Sequence, residues 1–245
     1  MTQTSIDKFL GGRVTVKQPL TGFRAGLDAV MLAASVPALS NDEVLELGAG
    51  SGTASLCLAA RVPDVSIVGV EIDPALASLA NKNAAENNCE ARMRFHQADV
   101  FTLPPELKRD FSHVFCNPPF HDELGEVSPE PSRDRALRDM GRFGDWIETG
   151  MKRTISGGTF TAIIRADRLA ETLAHMPERG VTIFPLWPRA GEPAKRVILQ
   201  ARKGSRAAPV LSPGLVLHDA DGTYTAEADA VLRDGASLAL DSRGL

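Results

Sequence analysis

Cysteine is scarce in this chain, and no apolar run is long enough to form a membrane helix. Of 245 residues three are cysteines, Cys57, Cys89 and Cys116. They form no Cys-x-x-Cys pair and no histidines cluster beside them, so a disulfide framework or a zinc site has no spacing to support it, and no metal is expected. They read as reduced, buried, small apolar residues. No stretch approaches the roughly 18 uninterrupted apolar residues of a membrane span, and Met1 to Asp7 is too polar for the core of a signal peptide. The expected location is cytoplasmic, with no membrane partner. Internal repeats and low-complexity segments are also missing. Nor is there an excess of positive charge. The formal net charge of −4 excludes a protein coated in positive potential but leaves room for a local basic patch.

What is present is an ordinary globular composition, 43% hydrophobic and 24% charged, sufficient for one large domain or two small ones. The charge is unevenly spread. From Arg189 to Arg206 six bases stand against Glu192, and from Ala207 to Leu245 six acids stand against two bases. A second basic cluster, Arg133, Arg135, Arg138 and Arg142, follows a Pro-rich segment at Ser128 to Ser132. Charge runs of this kind are most often solvated faces.

Strand and helix signals alternate along the middle of the chain. Short apolar runs predict strands at Glu43 to Leu47, Ser66 to Val70, Arg92 to His96, His113 to Cys116, Thr159 to Ile164, Val181 to Leu186 and Arg196 to Ala201. Helices are predicted at Thr53 to Arg61, at Pro74 to Asn87 with Pro in the first turn, at Arg135 to Thr154 ended by Gly157-Gly158, and at Leu169 to His175. The alternation predicts an α/β fold with a mostly parallel sheet covered on both faces.

Three chemical signals fall at successive strand ends. Glu46-Leu47-Gly48-Ala49-Gly50-Ser51-Gly52 lies where a strand becomes a helix, so backbone N–H groups and a helix N-terminus can face a ligand. Its glycine spacing is one residue short of the dinucleotide fingerprint, which disfavours NAD. Glu71 ends the second strand, where a carboxylate can accept from a ribose diol. Asp73 could join it or cap the helix starting at Pro74. Asp99 follows the third strand and can accept from an adenine amino group.

This constellation resembles the class I S-adenosylmethionine-dependent methyltransferases over about Asn41 to Ala201. The resemblance implies a Rossmann-like, seven-stranded sheet with an antiparallel last strand. It also implies that Glu46, Gly48 and Gly50 lie near the methionine part of the cofactor, Glu71 at the ribose and Asp99 at the adenine, with Ala49, Gly52, Ile72 and Val100 in the same pocket.

The fourth strand runs directly into Asn117-Pro118-Pro119-Phe120. Two prolines cannot continue a strand ladder, so the carbonyl beside the Asn117 amide is held rigidly without a sheet partner. The Asn117 oxygen and the Pro118 carbonyl can then accept both N–H bonds of a planar amino group. Phe120 offers a face on which a base can stack. The tetrapeptide resembles the signature of enzymes that methylate exocyclic or amide nitrogens. Followed by His121, a candidate substrate contact, it is also similar to that of ribosomal-RNA guanine-N2 enzymes.

The ends of the chain narrow the resemblance. Gln18-Pro19, then Gly22-Phe23-Arg24, then an Asp28-containing apolar helix look like the N-terminus of the bacterial tRNA(Val) adenine-N6 methyltransferase family. Pro188 to Val197 and Leu217 to Thr225 are similar to its C-terminal part. The resemblance implies that the substrate is the adenine at position 37 in the anticodon loop of a valine tRNA and that Phe23, Arg24 and Asp28 lie at the cofactor. It places RNA contacts at Arg189, Lys195 and Arg196. The expected organisation is an N-terminal extension with a β-hairpin and an amphipathic helix covering the cofactor site (1–40), a core (41–206) and a C-terminal extension packed on it (207–245), acting as a monomer or homodimer. Competing readings are a guanine-N2 or protein-glutamine methyltransferase, and an RNA-binding module with a vestigial cofactor site. The first often carries a duplicated domain in front and the second a helical N-terminal domain; neither has its counterpart among the residues before Asn41.

Overall fold

The computed structural model describes residues 3–119 and 142–240. The chain opens with an antiparallel hairpin, β1 (Thr4–Phe9) and β2 (Val14–Pro19), in register from Thr4 opposite Pro19 to Phe9 opposite Val14. Helix α1 (Leu27–Ser35) follows, and then β3 (Glu43–Leu47), α2 (Thr53–Arg61), β4 (Ser66–Glu71), α3 (Pro74–Glu86), β5 (Met93–Gln97) and β6 (Phe111–Cys116). The second half contributes α4 (Phe143–Arg153), β7 (Thr154–Arg165), α5 (Leu169–Ala174), β8 (Val181–Trp187), β9 (Arg196–Arg202), β10 (Val210–Leu211), β11 (Leu215–Val216) and α6 (Ala226–Asp234).

The large sheet runs β5-β4-β3-β6-β7-β9-β8, with β9 antiparallel to both neighbours and the other strands parallel. Every one of the seven predicted strands is in it. Two further short strands, β10 and β11, pair with β8 and widen the sheet to nine. Successive residues feed opposite faces, as a doubly covered parallel sheet requires. Val44 and Ile67 join the cluster under α1, α2, α3 and α6, while Leu45, Leu47 and Val70 join the cluster under α4.

Two predictions are corrected. Helix α4 ends at Arg153 and passes straight into β7, so Gly157-Gly158 are not its stop signal. They sit inside β7 where its register against β6 shifts between Phe111 and His113. A side chain at Gly158 would stand 2.2 Å from the Ser112 carbonyl oxygen, so close strand approach is what demands glycine there. The predicted beginning of this helix, 135–141, lies outside the described residues. Helix α1, expected to be amphipathic, is buried continuously from Ala29 to Ser35. It packs against α2, α6 and β7, and the C-terminal helix covers the face that would otherwise be wet.

The hairpin is fastened to the core by two amides one turn apart on α3. Asn83 accepts from the Lys17 N–H and donates to the Lys17 and Ser51 carbonyls, while Asn87 accepts from the Thr15 N–H and donates to the Thr15 carbonyl. These side chains satisfy the free edge of β2 as another strand would. Asn83 is fully buried. Asn83→Ala should therefore destabilise the protein by about 1–3 kcal/mol, the cost of leaving buried backbone groups unpaired, read as a lower urea midpoint; an unchanged midpoint would remove this tie.

Candidate cofactor and acceptor site

The site is built from aligned strand ends. Leu47 lies opposite both Val70 and Cys116, and Glu71 lies opposite Gln97. Four chains therefore leave the sheet at one edge, as the turn after β3, the Glu71 corner, the Asp99 loop and Asn117. Gly48 and Ala49 both donate to the Val70 carbonyl at 2.9 Å, which folds the turn over β4. Glu71 then ties the corner together. Its carboxylate accepts from Gly50 N–H at 2.8 Å and from Asp73 N–H at 2.9 Å, one bond on each oxygen. A carboxylate has capacity for about four bonds, so these two do not exhaust it. Burial raises the Glu71 pKa, while the N–H bonds from Asp73 and Gly50 oppose the shift. Ile72 beside it is exposed.

Asp73 takes the capping role, accepting from Ala75 and Leu76 N–H at the start of α3. Asp99 is half-buried and receives the Phe101 N–H at 2.9 Å, with Val100 buried next to it. Gly48, Gly50 and Gly52 all have positive φ. A side chain at Gly48 would meet the Trp146 ring at 2.8 Å and one at Gly52 the Phe95 ring at 2.8 Å, whereas at Gly50 no atom of the described residues lies within 4 Å. The turn thus presents a cradle open only at Gly50. With acidic acceptors at the ends of the next two strands, it fits S-adenosylmethionine, whose ribose and adenine offer hydrogen-bond donors. Ala49 is buried in the same turn.

Glu46 lies beneath the turn, 4% exposed, and accepts a short hydrogen bond from the Ser55 hydroxyl. The N-terminal segment reaches this region through Gln18, which is buried. Its side chain donates to Asp7 and to the Ala25 carbonyl, accepts from Ala25 N–H, and receives a longer contact of 3.4 Å from the Ser51 hydroxyl. Arg24 is drawn to Asp7 and to the Pro19 carbonyl. Asp28 forms an ion pair with Arg196 at 2.7 Å, so a predicted cofactor residue and a predicted RNA residue hold one another. Phe23 stands exposed.

The basic segment from Arg189 to Arg206 is not one patch. Strand β9 carries Arg196 opposite Arg165 at the site end and Arg202 opposite Thr159 at the far end. Arg189, exposed, pairs with Glu192, and Lys195 is exposed beside Arg196. Asn117 is half-buried after β6, Pro118 is buried and Pro119 exposed. Among the described residues the Asn117 side chain makes no hydrogen bond. Phe120 and His121 lie outside the described residues. Sequence reasoning missed Asn83, Asp7, Ser55 and Trp146. The i, i+4 spacing of Asn83 and Asn87 was the one available signal for the first, and the others act through contacts with distant chain.

Burial pushes the Glu46 carboxyl up to about 8 from an ordinary 4.5. At neutral pH the unfolded chain has lost this proton and the folded chain keeps it. The stability associated with Glu46 is then complete below about pH 4.5 and is lost as the pH rises through about 8, with a slope of at most about 1.4 kcal/mol per pH unit. Denaturation of the ligand-free protein between about pH 5 and 8 should show this decline, and Glu46→Gln should flatten it. Equal slopes in the two proteins would mean that the carboxyl is ionised in the fold.

Residues 26–130 match the methyltransferase small domain. A tRNA1(Val) (adenine(37)-N6)-methyltransferase from Yersinia enterocolitica is 28% identical over 234 residues, covering 91% of this chain and 92% of its own. Its counterpart from Yersinia pseudotuberculosis is 26% identical with the same coverage. The crystal structure of a predicted O-methyltransferase from Agrobacterium tumefaciens superposes with a TM-score of 0.72 at 28% identity, over 89% of this chain and 100% of that one. A 16S rRNA N2 G1207 methyltransferase from Thermus thermophilus, in complex with AdoMet and guanosine, shares the fold at a TM-score of 0.57 and 19% identity, over 82% and 50% of the two chains. No helix among the described residues is long and apolar enough to cross a membrane. The strand order with its antiparallel β9, the glycine cradle tied to Glu71 and the matched domain give the chain the fold of the class I methyltransferases and make it an enzyme that uses S-adenosylmethionine.

Proposed function

We propose that this enzyme methylates the exocyclic N6 of an adenine in tRNA, at position 37 in the anticodon loop of a valine tRNA, in the cytoplasm. The observation that carries the reading is the exit of Asn117-Pro118-Pro119 from β6 directly beside the glycine turn, through the Leu47 and Cys116 register. The relatives named for this activity match over nine tenths of both chains, which supports the choice of substrate.

Bound S-adenosylmethionine supplies an electrophilic methyl group. The turn from Gly48 to Gly52, with Glu46, Ile72 and Val100 around it, would hold the cofactor, Glu71 would accept from its ribose, and Asp99 would accept from its adenine. Asn117 does the orienting work on the acceptor. Its side-chain oxygen and the Pro118 carbonyl each take one N–H of the substrate amine, which turns the nitrogen lone pair out of conjugation with the ring. A single carbonyl would leave the amine free to rotate. Phe120 supplies the stacking face for a base splayed out of an unpaired loop, at little cost in pairing energy. No general base is needed, since the amine sheds its proton after its new bond has formed. Lys195 and Arg189 are the proposed RNA contacts nearest this edge, and His121 is proposed from its place after the motif in sequence. Arg196 also braces Asp28, so its replacement would loosen the N-terminal segment as well.

Mass spectrometry of nucleosides from tRNA incubated with enzyme and S-adenosylmethionine should find N6-methyladenosine. N2-methylguanosine in its place would overturn the adenine assignment. Asn117→Ala should lower single-turnover rates by about 10² or more, in line with loss of a preorganised polar group, while cofactor affinity stays near wild type. An alanine variant at full rate would sink the paired-acceptor mechanism. In calorimetry, Gly50→Val should abolish cofactor binding by filling the open side of the cradle. Glu71→Gln should weaken it, each charge-assisted bond being worth roughly 1.5–3 kcal/mol. Normal affinity in both variants would place the cofactor elsewhere.

A further inference from the structure

Lys195 apart, which is exposed and in no ion pair among the described residues, the cations of the two sheet ends differ in how they are partnered. At the site end Arg24, Arg142, Arg165, Arg168, Arg189 and Arg196 each pair with a carboxylate, Asp7, Asp145, Asp167, Glu171, Glu192 and Asp28 respectively. The opposite end, where Arg109 pairs with Glu43, also gathers Lys152 and Arg153 from the end of α4, Arg179 from the approach to β8, Arg202 from the end of β9, and Lys203 and Arg206 just after it. Among the described residues none of these last six is in an ion pair. Four of them are instead anchored on carbonyl oxygens. Arg153 donates to Arg109, Arg179 to Arg206, Arg202 to Gly157, and the Lys203 ammonium to Lys152 and Thr154. A carbonyl holds a cationic head in place without cancelling its charge, and a guanidinium keeps further donors for a second acceptor. Glu106, Asp110 and Glu178 are exposed carboxylates on the same approaches, and the six cations outnumber them. Beside it opens a cavity of about 510 Å³, lined by Arg61, Arg202, Thr182 and Ser205 among others and by no acidic residue. The Arg61 Nε is buried there, with no partner among the described residues.

We propose that this far end is a second RNA contact, gripping backbone phosphates of the tRNA body while the anticodon loop occupies the acceptor site; the proposal rests on the tRNA reading above. A protein with net charge −4 repels a polyanion on average, so binding depends on local clusters whose charge is uncompensated. The arginines at the site end are largely neutralised by their own carboxylates. The seven residues of β9 separate the two ends by about 20 Å, a span that a stem lying along the side of the sheet can bridge. Phosphate contacts of this kind fix register without reading sequence.

Lys152 and Arg206 are exposed, and their side chains make no hydrogen bond among the described residues, so Lys152→Glu with Arg206→Glu leaves the fold's contacts intact. Methylation kinetics and fluorescence anisotropy would be measured on full-length valine tRNA and on its isolated anticodon stem-loop. The double variant should raise KM for the full tRNA about tenfold or more with kcat unchanged, and leave the stem-loop unaffected. The salt slope of tRNA binding should fall by about 0.7 to 0.9 for each phosphate that the variant no longer neutralises. Unchanged tRNA affinity and slope would overturn the proposal, as would equal losses on both RNAs. Retained tRNA binding with loss of binding to phosphatidylserine vesicles would assign the surface to a membrane and overturn it too. The binding arm reads the patch whether or not tRNA is methylated, so tRNA bound through these residues but unmodified would count against the acceptor assignment alone.

Discussion

The alignment of Leu47 with Val70 on one side and Cys116 on the other is the constraint on which the site depends. Parallel strands in fixed register stop at one edge, and whatever follows each of them arrives at the same place. Chemistry supplied by Gly48 to Gly52, Glu71, Asp99 and Asn117 is spread over some seventy residues of chain, and only the ladder brings it together. Register is enforced by burial on both faces. Slipping β3 by one residue would exchange Leu45 and Leu47 with Val44 between the two cores, and the glycine turn would no longer meet the Val70 carbonyl.

What the sequence makes legible is what local chemistry dictates. β3 and α2 have the bounds expected of them because glycines with positive φ punctuate the passage between them. The strand-end carboxylates were visible for the same reason, since each directly follows an apolar run. Contacts between distant segments were not legible. Gly157-Gly158 resembles a helix stop, and only the proximity of the Ser112 carbonyl shows that β6 requires it. Burial of α1 on nearly every side depends on α6, which arrives two hundred residues later. The basic run from Arg189 to Arg206 is continuous in sequence, yet an antiparallel strand carries its halves to opposite ends of the sheet.

Polar residues near the N-terminus hold one another in a network whose partners lie far apart in the chain. The family resemblance places Arg24 and Asp28 at the cofactor, and Gln18 precedes them in the same motif. Their hydrogen bonds run to Asp7, Pro19, Ala25 and Arg196. A buried glutamine that satisfies both N–H and C=O of Ala25 fixes the approach to α1 and leaves neither backbone group unpaired. These side chains place the wall of the site. The ring of Phe23 stands outside this network and is exposed.

The three glycines of the turn are glycine for different reasons, and the difference separates packing from binding. At Gly48 the space a Cβ would need is filled by Trp146, and at Gly52 by Phe95. Both rings belong to the protein's own layers, one from α4 and one from β5, so these positions secure the turn to the two faces of the sheet. Gly50 has the same left-handed backbone but meets no atom of the described residues. Its N–H is already bound to Glu71, which holds the peptide plane while leaving the Cα side unobstructed. A turn braced on both flanks and bare in the middle approaches a ligand closely without rearranging, because the conformational cost of forming it is met in folding. Aromatic packing thus stands on either side of the point that the protein must leave empty.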